Sequence, residues 1–234
     1  TYNQVASWDL DKKQITFAYP EKSGLGTKMR VNHFYFENII EELDQAGEFF
    51  IDRKNGLLYL VPPEGFESKS IVLAALAEEV ITLRGAKHVE IKGLTFDTGR
   101  SNCIQLSGCE NVTVRDCEIR NFIMGGVLMD GRNNTVLNCH IHDLGAFGVQ
   151  VAGGNLQTLE PANNVVDNCH IHHLAYDQKS QIPGIFMMGV GNIARHNEIH
   201  DLPHFGIRIK SANDCVVEFN EIYNLPNYHF FDGG

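Results

Sequence analysis

One feature of this chain restricts its fold more than any other: it repeats. The segments Asp116-Cys117-Glu118-Ile119, Asn138-Cys139-His140-Ile141, Asn168-Cys169-His170-Ile171, His196-Asn197-Glu198-Ile199 and Phe219-Asn220-Glu221-Ile222 fall into one column, headed by Gly93-Leu94-Thr95-Phe96. Successive members are 23, 22, 30, 28 and 23 residues apart. The two long steps hold polar stretches around Gly153 to Ala162 and Ala175 to Gln181, which read as loops inserted into a regular coil. Self-similarity at a fixed period of this size is the mark of a solenoid.

A second column runs beside the first. Ile104, Val127, Val149 and Ile207 each lie eight residues after Phe96, Ile119, Ile141 and Ile199, and Ile185 is their counterpart beyond the insertion that follows Ile171. In Gly148-Val149-Gln150-Val151 and Gly206-Ile207-Arg208-Ile209-Lys210 the β-branched residues alternate with variable ones, placing one set on a core face and the other on the surface. A coil of about 23 residues cannot bury its apolar face alone, whereas coils stacked at the roughly 4.8 Å strand spacing enclose a continuous interior. The pattern therefore predicts an all-β chain folded as a right-handed parallel β-helix, the hand following that of parallel crossovers in general. Within it, Cys117, Cys139, Cys169, Asn197 and Asn220 form an inward column at a tight corner. There Asn closes amide ladders and Cys acts as a small hydrophobe, so these thiols read as buried and inert.

Before about residue 71 the repeat is absent. The stretch Glu37 to Asp44 reads as a short helix ended by Gly47, and two apolar strands around Asn55-Gly56 read as a hairpin. Residues 1 to 70 are thus expected to form a β-rich cap or ancillary subdomain, and residues 71 to 234 the solenoid. The 29 acidic against 19 basic residues give a net charge of -10, and no Lys/Arg run breaks the balance. That argues against nucleic acid or an anionic membrane surface as partner. The longest apolar stretch, Ile71 to Ala77, is far short of the roughly 20 residues that span a bilayer. No Cys-x-x-Cys pair occurs among the six cysteines, which disfavours a structural zinc site or a redox motif.

Three stretches carry a resemblance: Phe36 to Asp52, the hairpin end Leu58-Tyr59-Leu60-Val61-Pro62-Pro63, and Ile199-His200-Asp201-Leu202-Pro203-His204. They resemble right-handed β-helix proteins of carbohydrate-degrading bacteria, nearest to the β-helix glycoside hydrolases that include fucosidases, xylanases and xylosidases. The resemblance implies a secreted or periplasmic protein whose partner is a polysaccharide or oligosaccharide of plant or algal origin, with no cofactor. It also implies an Asp-x-Gly-Ala segment carrying a catalytic carboxylate after the coil with Asn220-Glu221-Ile222. Asp232-Gly233-Gly234 looks like its start, although Leu225 to Phe231 is more aromatic than the acidic run of that pattern. The last coil lacks its second strand, which suggests a fragment whose second catalytic acid lies beyond residue 234.

The residues themselves offer further candidates. Glu198 and Glu221 occupy the same coil position on neighbouring turns, a spacing suited to paired carboxylates, where like charges are expected to raise one pKa; the alternative is two solvated surface acids. Phe186, Met188, Arg208 and Lys210 face outward on the second strand, beside the insertions, and could floor a groove for a sugar. Arg208 and Lys210 would equally suit a polysaccharide lyase acting on a uronate, with calcium held by nearby acids. Asp201 and His204 could pair and orient a substrate hydroxyl or tune a proton donor; the alternative is that His204 is a turn histidine satisfying backbone carbonyls. Eight of the eleven histidines lie between His140 and His204. Stacked imidazoles could ligate a transition metal or form a surface ladder; with no carboxylate at zincin-like spacing, no metal is assigned.

Overall fold

The computed structural model describes residues 3–20, 36–68, 71–176 and 181–225. The chain divides into two compact units, Thr1–Ile71 and Val72–Gly234. In the first unit, β1 (Val5–Asp9) pairs antiparallel with β2 (Gln14–Phe17), and β3 (Phe49–Asp52) with β4 (Leu57–Leu60). The turn between β3 and β4 carries Asn55-Gly56, with Gly56 at φ 67 and the Asp52 carboxylate accepting the N–H of Lys54 at 3.0 Å and of Asn55 at 3.1 Å. The helix expected over Glu37 to Asp44 is only a 3-10 turn, Ile40–Glu42. Asn38, the residue type that would cap it, instead holds β3: its amide accepts the N–H of Ile51 at 2.7 Å and donates to the Ile51 carbonyl at 3.0 Å.

The second unit is built of three six-stranded parallel sheets. Sheet I contains β5 (Ile81–Arg84), β8 (Ile104–Glu110), β11 (Val127–Arg132), β14 (Val149–Val151), β17 (Pro183–Val190) and β20 (Phe205–Asn213). Sheet II contains β6 (Glu90–Lys92), β9 (Thr113–Arg115), β12 (Thr135–Leu137), β15 (Val165–Asp167), β18 (Ile193–Arg195) and β21 (Val216–Glu218). Sheet III contains β7 (Thr95–Gly99), β10 (Glu118–Phe122), β13 (His140–Leu144), β16 (His170–Leu174), β19 (Glu198–His200) and β22 (Glu221–Tyr223). The chain visits I, II and III in turn and climbs one rung per circuit: a parallel β-helix, with no α-helix among the described residues.

Both sequence columns are true strand registers. Ile104, Val127, Val149, Ile185 and Ile207 pair rung to rung in sheet I, and Ile119, Ile141, Ile171, Ile199 and Ile222 in sheet III. Except for Ile207 and Ile222 on the last rung, all are fully buried, each side chain stabilising the fold by about 1.5–3 kcal/mol. Sheet II adds Val114, Val136, Val166 and Ala194 to the same interior. The register between β17 and β20 slips between Met187 and Gly189, where β20 holds an extra residue.

Left-handed residues turn the corners. Between sheets II and III they are Asp116, Asn138, Asn168, His196 and Phe219, with φ of 53, 52, 51, 53 and 54°. Asn and Asp tolerate this region because their short polar side chains bond locally, which accounts for three of the five. At the return from III to I, a Cβ on Gly148 would lie 2.8 Å from the Gly184 carbonyl oxygen and 2.7 Å from the Ile171 side chain, so the rungs there close on backbone alone.

Candidate functional site

The outward face of sheet III concentrates the titratable chemistry. Each rung presents two outward positions, one on either side of the buried Ile. The first column reads Glu118, His140, His170, Glu198, Glu221 and the second Arg120, His142, His172, His200, Tyr223. One diagonal contact recurs four times, from the first position of a rung to the second position of the next. Glu118 Oε1 meets His142 Nε2 at 3.3 Å, His140 Nε2 meets His172 Nε2 at 2.8 Å, His170 Nε2 meets His200 Nε2 at 2.8 Å, and the Tyr223 hydroxyl donates to Glu198 Oε1 at 2.6 Å. The rings stack along the columns: His140 on His170 at 4.9 Å, His142 on His172 at 5.1 Å, His172 on His200 at 4.9 Å, and His200 on Tyr223 at 4.7 Å.

The corner residue after each second position orients its ring. His142 Nδ1 lies 2.6 Å from Asp143 Oδ2, His172 Nδ1 lies 2.6 Å from His173 Nδ1, and His200 Nδ1 lies 2.7 Å from Asp201 Oδ2. Asp143, His173 and Asp201 are all left-handed, at φ 53, 50 and 52°, which turns their side chains back toward the preceding imidazole. With Nδ1 committed to Asp201 as donor, His200 carries its lone pair on Nε2, the atom aimed along the face, whereas His142 meets a carboxylate at each ring nitrogen, Asp143 at Nδ1 and Glu118 at Nε2. The donor atoms of His140, His142 and His172 all lie within 4.8 Å of one another, as do those of His170, Glu198 and His200.

Burial and neighbouring imidazoles make protonation of His140, His170 and His172 costly. His172 is pushed down to about 4 by desolvation and then by His170, His140, His173 and His142. Desolvation likewise lowers His140 and His170. At neutral pH these rings are uncharged, able to accept as well as donate. The acids remain ionised: the hydrogen bond from His142 lowers Glu118, and that from His200 lowers Asp201. Burial pushes Asp143 up, but the hydrogen bonds from His142 and Tyr176 outweigh it and the net shift is down. The Tyr176 hydroxyl, 2.9 Å from Asp143 Oδ1, is raised to about 12 by burial and by that bond.

Glu198 and Glu221 are strand neighbours on adjacent rungs, as their spacing predicts. The expected raised carboxyl is not found at Glu198, which is held below its ordinary range, first by the Tyr223 hydroxyl and then by nearby imidazoles. The hydrogen bond to Tyr223 stabilises its charged form against any repulsion from Glu221. The Asp201–His204 pair is also corrected. Asp201 takes its imidazole from His200, the residue before it, while His204 is buried at 3% exposure and its Nδ1 accepts the N–H of Gln181 at 2.7 Å. Asp232 lies outside the described residues.

Sheet I presents a second, smaller cluster. Phe186 and Arg208 are register neighbours on β17 and β20, and the guanidinium carbon stands 5.5 Å from the centroid of the Phe186 ring and 5.4 Å from that of Phe205. Arg208 Nη1 also donates to the carbonyl of Gln181 at 2.9 Å, on the insertion that precedes β17. The other insertion lies elsewhere, its Gly154, Glu160 and Ala162 lining a shallow depression with Glu110 and Arg132 at the I-to-II corner. Lys210 is exposed at the bulge itself. Sequence reasoning missed Glu118, Asp143, Tyr176, Phe205 and Tyr223. The dipeptides His142-Asp143 and His200-Asp201, each just after a repeated Ile, were the signal that could have revealed the corner orienters.

Stacked coils of three parallel sheets with ladder-lined corners define a β-helix solenoid. Residues 79–173 and 158–231 match the family described as right handed beta helix region, and the chain belongs to that family. No curated protein matches the chain, and no solved structure does.

Proposed function

We propose that the protein is carbohydrate-active, a glycoside hydrolase of plant or algal polysaccharide that works with two carboxylates. The observation that carries the reading is the outward Phe186 ring with Arg208 against it, flanked by Phe205 and the Gln181 loop. An aromatic face takes the C–H face of a sugar, and a guanidinium held in place donates to ring hydroxyls or a uronate carboxylate. The β-helix family is compatible with this reading without selecting a substrate. Asp232 is the first catalytic carboxylate in this proposal. Coils rise by about 4.8 Å, so a second acid one or two rungs away spans the roughly 5–9.5 Å that retaining and inverting mechanisms use. Glu198 and Glu221 have that spacing too, with Glu198 suited to the ionised role.

Reducing-sugar release from xylan, fucosylated pectin and aryl glycosides by the full-length protein tests the proposal. Asp232→Asn should lower turnover by about 10²–10⁴-fold, and Phe186→Ala should weaken substrate binding by about tenfold with folding intact. Unchanged turnover in Asp232→Asn overturns the assignment. One observation favours a second reading: Glu198 is held below its ordinary range by the Tyr223 hydroxyl and nearby imidazoles, which unsuits it as a proton donor, as in a module that binds glycan without cutting it. Retarded migration in a polysaccharide gel without any sugar release would select that reading. An ultraviolet-absorbing unsaturated product from pectate or alginate, requiring calcium, would select a lyase using Arg208 and Lys210.

A further inference from the structure

The histidine face of sheet III does more than stack. We propose that it binds two divalent transition-metal ions of the zinc class, one held by His140, His142 and His172 and the other by His170, His200 and Glu198. Each set already brings three donor atoms within 4.8 Å of one another. The two sets are built alike, since each joins the first position of one rung to the second position of the next through an Nε2···Nε2 approach of 2.8 Å. Nitrogens bound to one tetrahedral zinc, at about 2.0–2.1 Å from it, lie about 3.3 Å apart, so the ion is admitted when the paired imidazoles open by about half an ångström and the third donor closes toward them.

Three features separate this face from a run of surface histidines. First, one imidazole in each set has its Nδ1 against a carboxylate, His142 on Asp143 at 2.6 Å and His200 on Asp201 at 2.7 Å. That is the arrangement that fixes the tautomer of a metal-binding histidine and raises its basicity. Second, carboxylates stand at both ends of the cluster: Glu118 Oε1 is 3.3 Å from His142 Nε2, and Glu198 Oε2 is 4.0 Å from His170 Nε2. They reach the imidazoles from neighbouring rungs, which a spacing rule along the chain cannot detect. Glu118, Asp143, Glu198 and Asp201 together offset the charge of two divalent ions roughly one rung apart. Third, the stacked rungs hold the rings in place before any ion arrives, so little ordering entropy opposes binding. The nitrogen-rich sets select zinc, copper or nickel over calcium and magnesium, which prefer oxygen. Three protein donors leave at least one coordination position open on each ion.

The test is equilibrium dialysis of the full chain against zinc after chelator treatment, with bound metal measured by elemental analysis and folding checked by circular dichroism. Two equivalents are expected. His142→Gln should remove one and leave the other, His200→Gln should remove the other, and the double variant should bind neither. Asp143→Asn and Asp201→Asn should each weaken the corresponding site by about 10- to 100-fold, as expected of residues that position a ligand. A magnesium control should show no retention. No bound zinc, binding that survives the double variant, or only one equivalent in the wild type that each single variant abolishes completely would overturn the two-site arrangement. This outcome is independent of the sugar-release assay, which reads Asp232 and Phe186.

Discussion

The two kinds of corner that bracket sheet II share a backbone and differ in chemistry. At both, a left-handed residue is followed by an inward-pointing small one. From sheet I to II the inward column is Val112, Asn134, Asn164, Asn192 and Cys215; from II to III it is Cys117, Cys139, Cys169, Asn197 and Asn220. The asparagines link rungs in both directions. The side-chain oxygens of Asn134, Asn164 and Asn192 accept the N–H of Val112, Asn134 and Asn164 from the rung before, at 2.9, 2.9 and 3.2 Å, while their amides donate to carbonyls such as those of Cys109, Ala152 and Met188. The thiols only donate: Cys139 Sγ reaches the Leu137 carbonyl at 3.3 Å, and Cys169 Sγ the Asp167 carbonyl at 3.3 Å. One turn geometry therefore tolerates a strong ladder or a weak one, and the choice sets how firmly the strand that follows is held. The II-to-III corner feeds directly into the histidine face, through Cys139 into His140 and Cys169 into His170.

Asn164→Ala should be the most damaging change at either corner. It removes the acceptor for the buried Asn134 N–H and the donor to the part-buried Gly131 and Ala152 carbonyls, at 3.0 and 2.7 Å. Each stranded buried group costs about 1–3 kcal/mol, so a loss of about 3 kcal/mol or more is expected in urea denaturation. A loss below about 1 kcal/mol would show that the amide ladder is not what holds this corner. Cys169→Ala should cost less, about 1 kcal/mol, because it deletes a small buried group and two weak sulfur contacts, to Val136 and Asp167. Equal losses in the two variants would erase the distinction between the corners.

Much of this fold was legible because a solenoid writes its structure into the sequence once per rung. Ile119, Ile141, Ile171 and Ile199 recur at coil spacing, and the insertions stand out by breaking that spacing. Sheet II was the least legible, since three-residue strands such as Thr135–Leu137 are too short to show an alternation. The Asn134–Asn164–Asn192 ladder was missed for a related reason: two of its asparagines sit beside the left-handed Asn133 and Asn163, and adjacent asparagines look alike until the backbone assigns one to the turn and one to the interior. The site was harder to read. Its contacts are diagonal, between residues about thirty apart such as His140 and His172, and a column search compares residues only at equivalent positions. Asp201 was matched to a later histidine in the sequence, yet the left-handed corner turned it back onto His200.

Acid should separate the corners by the smallest but most selective effect. The I-to-II ladder is made of amides and does not titrate. The II-to-III corner carries Asp167, whose oxygens meet Arg195 Nε at 2.9 Å and His196 Nδ1 at 3.0 Å on the rung above. Burial raises the Asp167 pKa, but the hydrogen bonds from His196 and Arg195 outweigh it and leave a net shift downward. The folded value thus lies below the unfolded one of about 3.9. Between the two the unfolded chain binds the proton first, so the stabilisation is complete above about pH 4 and is lost as pH falls through the folded value. Arg195 and His196 are 40% and 51% exposed, so solvent screening holds the effect to about 1 kcal/mol or less. Comparing melting temperatures at pH 6 and pH 3 in the wild type and in Asp167→Asn isolates this contribution from that of the other carboxylates. The variant should lose less on acidification. The penalty of Asn164→Ala should be the same at both pH values. If it shrinks in acid together with the Asp167 contribution, the two corners are coupled through sheet II, and the difference in their ladders does not act locally.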